Sequence, residues 1–349
     1  MSEEVTKNIE APKERKKVKI ISLVLVFILA TYAIVSLIPP KHNYKGNNPL
    51  IVDGELPLLI AHGGGNKEFP DNTLEAFYNA YSVDSRVMME TDVSITKDGV
   101  VILSHDVTLD RKTNVVGKIS EWSYSDLIEK EVDFGYTNPT KNQELVGERV
   151  KFTTDDGKNV TPLDVEYPIG ITARHESVFL ATTLEELIVA FPENNINVEI
   201  KQSDELGLRC LEEVIHIIEK HDAFDRVVVA SFHNDIYKEF ERLVDEKKVP
   251  DNFMYSPGIA GVAEYYVLSI LGLDIFFSDG ITVFQLPTEE YGINFASSRT
   301  VKNAHKHNIA VHYWTVNDED EMRRLVKIGA DGIMTDYPHR LKEILNSVN

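Results

Sequence analysis

The sequence predicts an α/β protein: a TIM-type (β/α)8 barrel with a small inserted subdomain, preceded by one N-terminal transmembrane helix. Three observations lead there. Short apolar runs alternate with helical patterns from residue 57 onward, polar residues recur at the ends of those runs, and one uncharged hydrophobic stretch stands apart near the N-terminus.

The elements follow in chain order. Residues 1–19 are a basic tail in which Lys13, Arg15, Lys16, Lys17 and Lys19 lead into the uncharged run Ile20–Ile38. At about 1.5 Å per residue that run just crosses a hydrocarbon core of about 30 Å. Pro39-Pro40 ends it. The positive-inside rule puts the N-terminus in the cytoplasm and the rest of this single-pass chain outside. The competing reading is a cleaved signal peptide, with Thr31-Tyr32-Ala33 as the small-residue site; the apolar run continues past it, which favours the anchor. Residues 39–56, polar with Gly, Asn and Pro, read as a linker, and residues 57–349 as the barrel domain.

Within that domain the expected strands are 58–61, 87–89, 100–103, 196–200, 227–230, 309–312 and 332–334. Expected helices are 73–84, 183–191, 206–220, 235–244, 297–307 and 318–328, the last with Asn317 as N-cap. A doubly wound open sheet is the alternative, but the glycine fingerprint for a dinucleotide is missing. Residues 112–180 break the rhythm, being rich in Thr, Asn, Asp, Gly and Lys; they read as an insertion over one mouth of the barrel.

Composition narrows the chemistry. Against 36 basic residues stand 56 acidic ones, a formal charge of -20 that repels polyanions and excludes a nucleic-acid partner. An anionic substrate needs local help, which a divalent cation among clustered carboxylates would supply. The single cysteine, Cys210, allows no disulfide framework and no Cys/His zinc site. No protein partner is implied.

The functional signal is the polar residues at strand ends: His62, Glu90 with Asp92, His105 with Asp106, and Glu199 with Lys201. In a barrel these ends converge on one face. Glu90 and Asp92 are two apart on a strand, so they point the same way, and Glu199 completes an oxygen-rich site for Mg²⁺ or Ca²⁺. Two histidines suit the acid and base work of phosphodiester hydrolysis, one activating the nucleophile and the other protonating the leaving alkoxide. His233 and His312 remain candidate substrate contacts.

The runs IAHGGGNKEFPDNTLEAF, METDVSITKDGVVILSHDVTLDRKT, VEIK and YWTVNDEDEMRRLVKIGADGIMTDYP resemble, in order and spacing, the glycerophosphodiester phosphodiesterase family. The resemblance covers most of residues 57–345 and is weakest over 112–180 and 250–295. It implies a TIM barrel with a small insertion, a divalent cation (Ca²⁺ or Mg²⁺), and cleavage of glycerophosphodiesters to glycerol 3-phosphate and an alcohol. Carried over by position, it makes His62 and His105 the acid/base pair, gives Glu90, Asp92 and Glu199 to the metal and Lys201 to the phosphate. Asn72 supports the site and Trp314 lines the glycerol side, although a buried aromatic after an apolar strand also serves a core.

Two departures stand out. Where the family has His-Arg-Gly this chain reads His62-Gly63-Gly64, and Pro70-Asp71-Asn72-Thr73 has aspartate where the family has glutamate. A glycine cannot replace a phosphate-clamping guanidinium, so the expected substitutes are a backbone nest at Gly63-Gly64-Gly65, Lys67, or Arg111. Expected substrates are deacylated phospholipid head groups, lysophospholipids, or glycerol-phosphate polymers of a cell envelope such as teichoic-acid-type chains. The rival readings are a non-catalytic glycerophosphoryl-binding barrel and a phospholipase acting on intact lipid.

Overall fold

The computed structural model describes residues 11–35, 37–38, 44–137, 149–278, 280–290 and 292–348. The expected tail up to residue 10 and the helix-ending Pro39-Pro40 lie outside them. The described chain falls into two compact units.

The smaller unit joins the N-terminal helix Ala11–Val35 to residues 263–278. Apolar side chains stand exposed along the helix, among them Leu23, Phe27 and Leu29, and its Lys16–Val35 stretch is long and apolar enough to cross a membrane. Tyr32 Oη donates to the Leu271 carbonyl at 2.7 Å.

The larger unit is a nearly closed barrel of eight parallel strands: β1 Leu58–His62, β2 Met88–Ile95, β3 Ile196–Ile200, β4 Val227–Ala230, β5 Met254–Tyr255, β6 Val283–Leu286, β7 Ala310–Tyr313 and β8 Gly332–Thr335. They pair in sequence order, with β8 returning to β1. Between the short strands β5 and β6 the Thr282 amide donates to the Tyr255 carbonyl at 3.0 Å. Strands covered on both faces need near-continuous apolar residues, and β2, β4, β7 and β8 are buried at every position.

Ile60, Met88, Val228, Met254, Val283, Ala310 and Met334 fill the barrel interior. Tyr44 and Leu50 join them, and Asn48 Nδ2 donates to the carbonyls of Thr282 (2.7 Å) and Asn308 (2.8 Å). Part of the stretch read as linker, 39–56, is therefore packed against the barrel domain.

Two further departures have physical reasons. Val101–Leu103 does not enter the barrel: it folds back antiparallel on the end of β2, because Lys97-Asp98-Gly99 makes a tight turn with Gly99 at φ +85°. β5 and β6 take the vacant places; at two and four ladder residues they are too short to leave an alternation signal. The helix Glu319–Ile328 is capped by Asp318, whose side chain accepts from the Glu321 amide at 2.9 Å, and not by Asn317.

Candidate active site

Strand register builds the site. His62 lies opposite Glu90 across β1 and β2, and Asp92 lies opposite Glu199 across β2 and β3. His62 and Glu199 stand at the C-terminal ends of β1 and β3, where the loops of a parallel barrel open, and register places Glu90 and Asp92 of the longer β2 level with them. The cavity there, about 660 Å³, is lined by His62, Gly63, Asp71, Asn72, Asp92, His105, Arg111 and Lys112. Thr137, Phe152 and Thr153 also line it.

Glu90, Asp92 and Glu199 each bring a carboxylate oxygen within 4.8 Å of the others. Glu90 and Asp92 are each 2% exposed. Burial raises the pKa of Glu90, and the charge of Asp92 raises it further; burial likewise raises Glu199, against the pull of Lys201. Carboxylates that repel one another out of water are an arrangement a hard dication stabilises, and the all-oxygen donor set fits Mg²⁺ or Ca²⁺. Lys201 Nζ meets Asp92 at 2.9 Å and Glu199 at 2.7 Å, so this lysine sits among the carboxylates.

Asn72 ties these groups together. Its φ of +59° is a left-handed conformation that asparagine tolerates better than most residues. Its Oδ1 accepts from the Asp92 amide (3.0 Å) and the Thr91 hydroxyl (2.7 Å), while Nδ2 donates to Asp92 Oδ2 at 3.1 Å.

Each histidine has an aspartate. His62 Nδ1 lies 2.6 Å from Asp336 Oδ1, and Asn317 Nδ2 donates to the other Asp336 oxygen at 2.7 Å. Burial lowers the His62 pKa, but the Asp336 hydrogen bond and the charges of Glu90, Asp336 and Asp92 outweigh it and lift the group to about 10. His105 Nδ1 lies 2.9 Å from Asp106 Oδ1, and Arg111 forks the same carboxylate at 2.6 and 2.7 Å. Burial would raise the Asp106 pKa; the bonds from His105 and Arg111 hold it well below the carboxylate range. Sequence reasoning left Asp336 and Asn317 out of the site, and noted Asp106 at a strand end beside His105 without giving it a role. The signal for Asp336 was available: it follows Thr335, the last residue of β8, as His62 ends β1.

The three substitutes expected for the missing arginine fare poorly. Gly63, Gly64 and Gly65 all have positive φ, but their amides are spent on Glu90 Oε2 (3.0 Å) and the carbonyls of Ala61 (3.2 Å) and His62 (2.8 Å). They form no open nest. Arg111 is committed to Asp106, and Lys67 is half-exposed 3.6 Å from Asp155. Trp314 packs partly buried on the core cluster and against Phe232, ring centroids 5.9 Å apart. His233 Nε2 lies 3.0 Å from the Lys201 carbonyl. His312 faces Gly332 across the ladder and is fully buried, and burial depresses its pKa to about 4; it is a neutral core group.

A family model described as the glycerophosphoryl diester phosphodiesterase family matches residues 62–340. A glycerophosphodiester phosphodiesterase of Caldanaerobacter subterraneus subsp. tengcongensis is 26% identical, over 81% of this chain and 96% of the relative. A lysophospholipase D of Mus musculus is also 26% identical, over 82% of this chain and 86% of the relative. Among solved structures, the glycerophosphoryl diester phosphodiesterase domain of a Mycobacterium tuberculosis protein superposes with a TM-score of 0.61 at 18% identity, covering 83% of this chain and 99% of that one. An Oleispira antarctica phosphodiesterase, solved with its product sn-glycerol-3-phosphate, superposes with a TM-score of 0.57 at 21% identity, covering 83% and 97%.

Proposed function

The chain belongs to the glycerophosphoryl diester phosphodiesterase family, and from that premise we propose that it hydrolyses glycerophosphodiesters to glycerol 3-phosphate and an alcohol, by histidine acid/base catalysis with a divalent cation, at the outer face of a membrane. One observation carries the reading: two aspartate-backed histidines line one cavity together with Asp92, which belongs to a cluster of three carboxylates with Glu90 and Glu199.

Glu90, Asp92 and Glu199 would hold Mg²⁺ or Ca²⁺, which supplies electrophilic stabilisation of the charge that builds on the phosphoryl oxygens. The chain's own residues do the proton work. Asp336 lies in hydrogen-bond contact with His62 and favours its imidazolium, which casts His62 as the acid that protonates the departing alkoxide. Asp106, forked by Arg111, holds His105 in orientation. His105 is then the base, taking the proton from an attacking water or glycerol hydroxyl as the new P–O bond forms and the old one breaks. Asn72 and Lys201 hold the carboxylates in place, and Lys201 contacts the phosphoryl group.

Lysophospholipids are a second substrate class. Relatives named lysophospholipase D favour it, as do Phe232, 47% exposed, and its contact with Trp314, which present an apolar surface. The helix Ala11–Val35 would anchor the chain near such lipids, with the N-terminus cytoplasmic. The test compares glycerol 3-phosphate release from glycerophosphocholine with lysophosphatidic acid release from lysophosphatidylcholine. Release of either product supports the proposed chemistry, and the ratio assigns the substrate; release of neither by folded protein supplied with Mg²⁺ or Ca²⁺ rejects it in favour of a binding barrel.

A further inference from the structure

The phosphodiesterase reading leaves one need unmet, which is a cation on the His62 side of the cavity for the anionic phosphoryl group. Position 63 cannot provide it. A Cβ built on Gly63 would stand 2.8 Å from Asp71 Cβ, and the backbone there has φ +56°. The space a Cβ at 63 would need is taken by the Cβ of Asp71, as it would be by that of any non-glycine residue there; position 71 is also where this chain carries aspartate in place of the family's glutamate.

That aspartate is the clue to where the charge has gone. Asp71 Oδ1 accepts a short hydrogen bond from Lys112 Nζ, and both groups line the cavity. The side chains are 9% and 17% exposed. Asp71 Oδ2 accepts from Asn72 Nδ2 at 3.3 Å, and the same amide reaches Asp92 Oδ2 at 3.1 Å. Lys112 is thus fixed one asparagine away from the carboxylate cluster, on the wall that also holds His62, Gly63 and His105.

The other cations in or beside the cavity are less suited to this role. Lys201 is engaged by two carboxylates, Arg111 is forked on Asp106, and Lys67 is the most exposed of the four. An ammonium carries three donors, and among the described residues the Lys112 ammonium bonds to Asp71. The remaining donors are available to a ligand.

We infer that Lys112, held in place by Asp71, is a second phosphoryl-binding cation of this site beside Lys201, and does the work of the arginine absent at position 63. Asp71 and Lys112 form one arrangement in which the aspartate presents the lysine to the cavity. The ligand class is a phosphomonoester or phosphodiester oxygen, bound as a point charge and not as a planar fork.

This inference rests on the phosphodiesterase reading, and its test separates the two. The full chain and its Lys112→Met and Lys112→Arg variants are compared for inhibition by sn-glycerol 3-phosphate and for the rise in Tm produced by Ca²⁺ or Mg²⁺ alone. Loss of a charge-assisted contact should weaken sn-glycerol 3-phosphate about tenfold or more in Lys112→Met, while Lys112→Arg keeps most of the affinity. The cation-induced rise in Tm should be the same in all three, because Lys112 touches none of the three carboxylates. Undiminished affinity in Lys112→Met, equal losses in Met and Arg, or a parallel loss of the cation effect overturns the inference and leaves a structural ion pair. A wild-type chain that hydrolyses no glycerophosphodiester overturns the activity and this inference together.

Discussion

His62 Nδ1 stands 2.6 Å from Asp336 Oδ1, which joins the last residue of the first barrel strand to the loop that leaves the eighth. The contact crosses the seam where the barrel returns on itself, and Asn317 holds the far oxygen of the same carboxylate at 2.7 Å. Asp336 is therefore a positioning residue for the proposed acid.

Asp336→Asn keeps the shape but removes the charge that favours the imidazolium. Steady-state kinetics should show kcat reduced about a hundredfold, in the range of general acid catalysis, with KM little changed. A rise in KM alone would mean that Asp336 serves substrate binding and not His62.

The carboxylate cluster should make the fold responsive to cations without any substrate present. Mg²⁺ or Ca²⁺ at about a hundred times its Kd should stabilise the chain by roughly 3 kcal/mol, read as a higher Tm. Asp92→Asn combined with Glu199→Gln should abolish that response. An unchanged response in the double variant would place the cation elsewhere.

Arg174 pins the end of the insertion to the barrel. It donates to both oxygens of Glu75, at 3.2 and 3.1 Å, and to the carbonyls of Leu180 and Ala181; Glu75 is only 1% exposed. Arg174→Ala leaves a buried charge without its partner, a defect that costs about 3–5 kcal/mol in urea denaturation. Arg174→Ala with Glu75→Gln should recover part of the loss.

A pH dependence resides at the far side of the ladder. His305 Nε2 lies 2.7 Å from the fully buried Asp331, whose hydrogen bond raises the histidine pKa above its usual 6.5 despite partial burial. A pKa raised by folding contributes stability that is complete below 6.5 and is lost as pH rises through the folded value. His305→Gln should therefore destabilise the chain most near pH 5.5 and progressively less toward higher pH. Urea melts showing a pH-independent difference would reject the linkage.

Much of the barrel was legible because its physics is local. Val227–Ala230 is buried at every position and reads as an unbroken apolar run, while Ile196–Ile200 shows apolar residues at alternate positions. Strand pairing then puts Glu90, Asp92 and Glu199 in reach of one another, which two-residue periodicity half reveals. What escaped was set by tertiary context. Val101–Leu103 has a strand's composition but turns back at Gly99, while Met254–Tyr255 is a strand only because its neighbours make it one. Asn317 looks like a helix cap in sequence; its use on Thr335 and Asp336 is visible only once β8 lies beside it. The pairing of Asp71 with Lys112 spans 41 positions and had no local signature.

The central claim is tested most directly by glycerol 3-phosphate release from glycerophosphodiesters, measured with and without EDTA for the wild type, His62→Ala and Glu90→Ala. The site described here predicts release by the wild type that EDTA abolishes and that falls to background in both variants. Release that persists in EDTA, or in either variant, would contradict it.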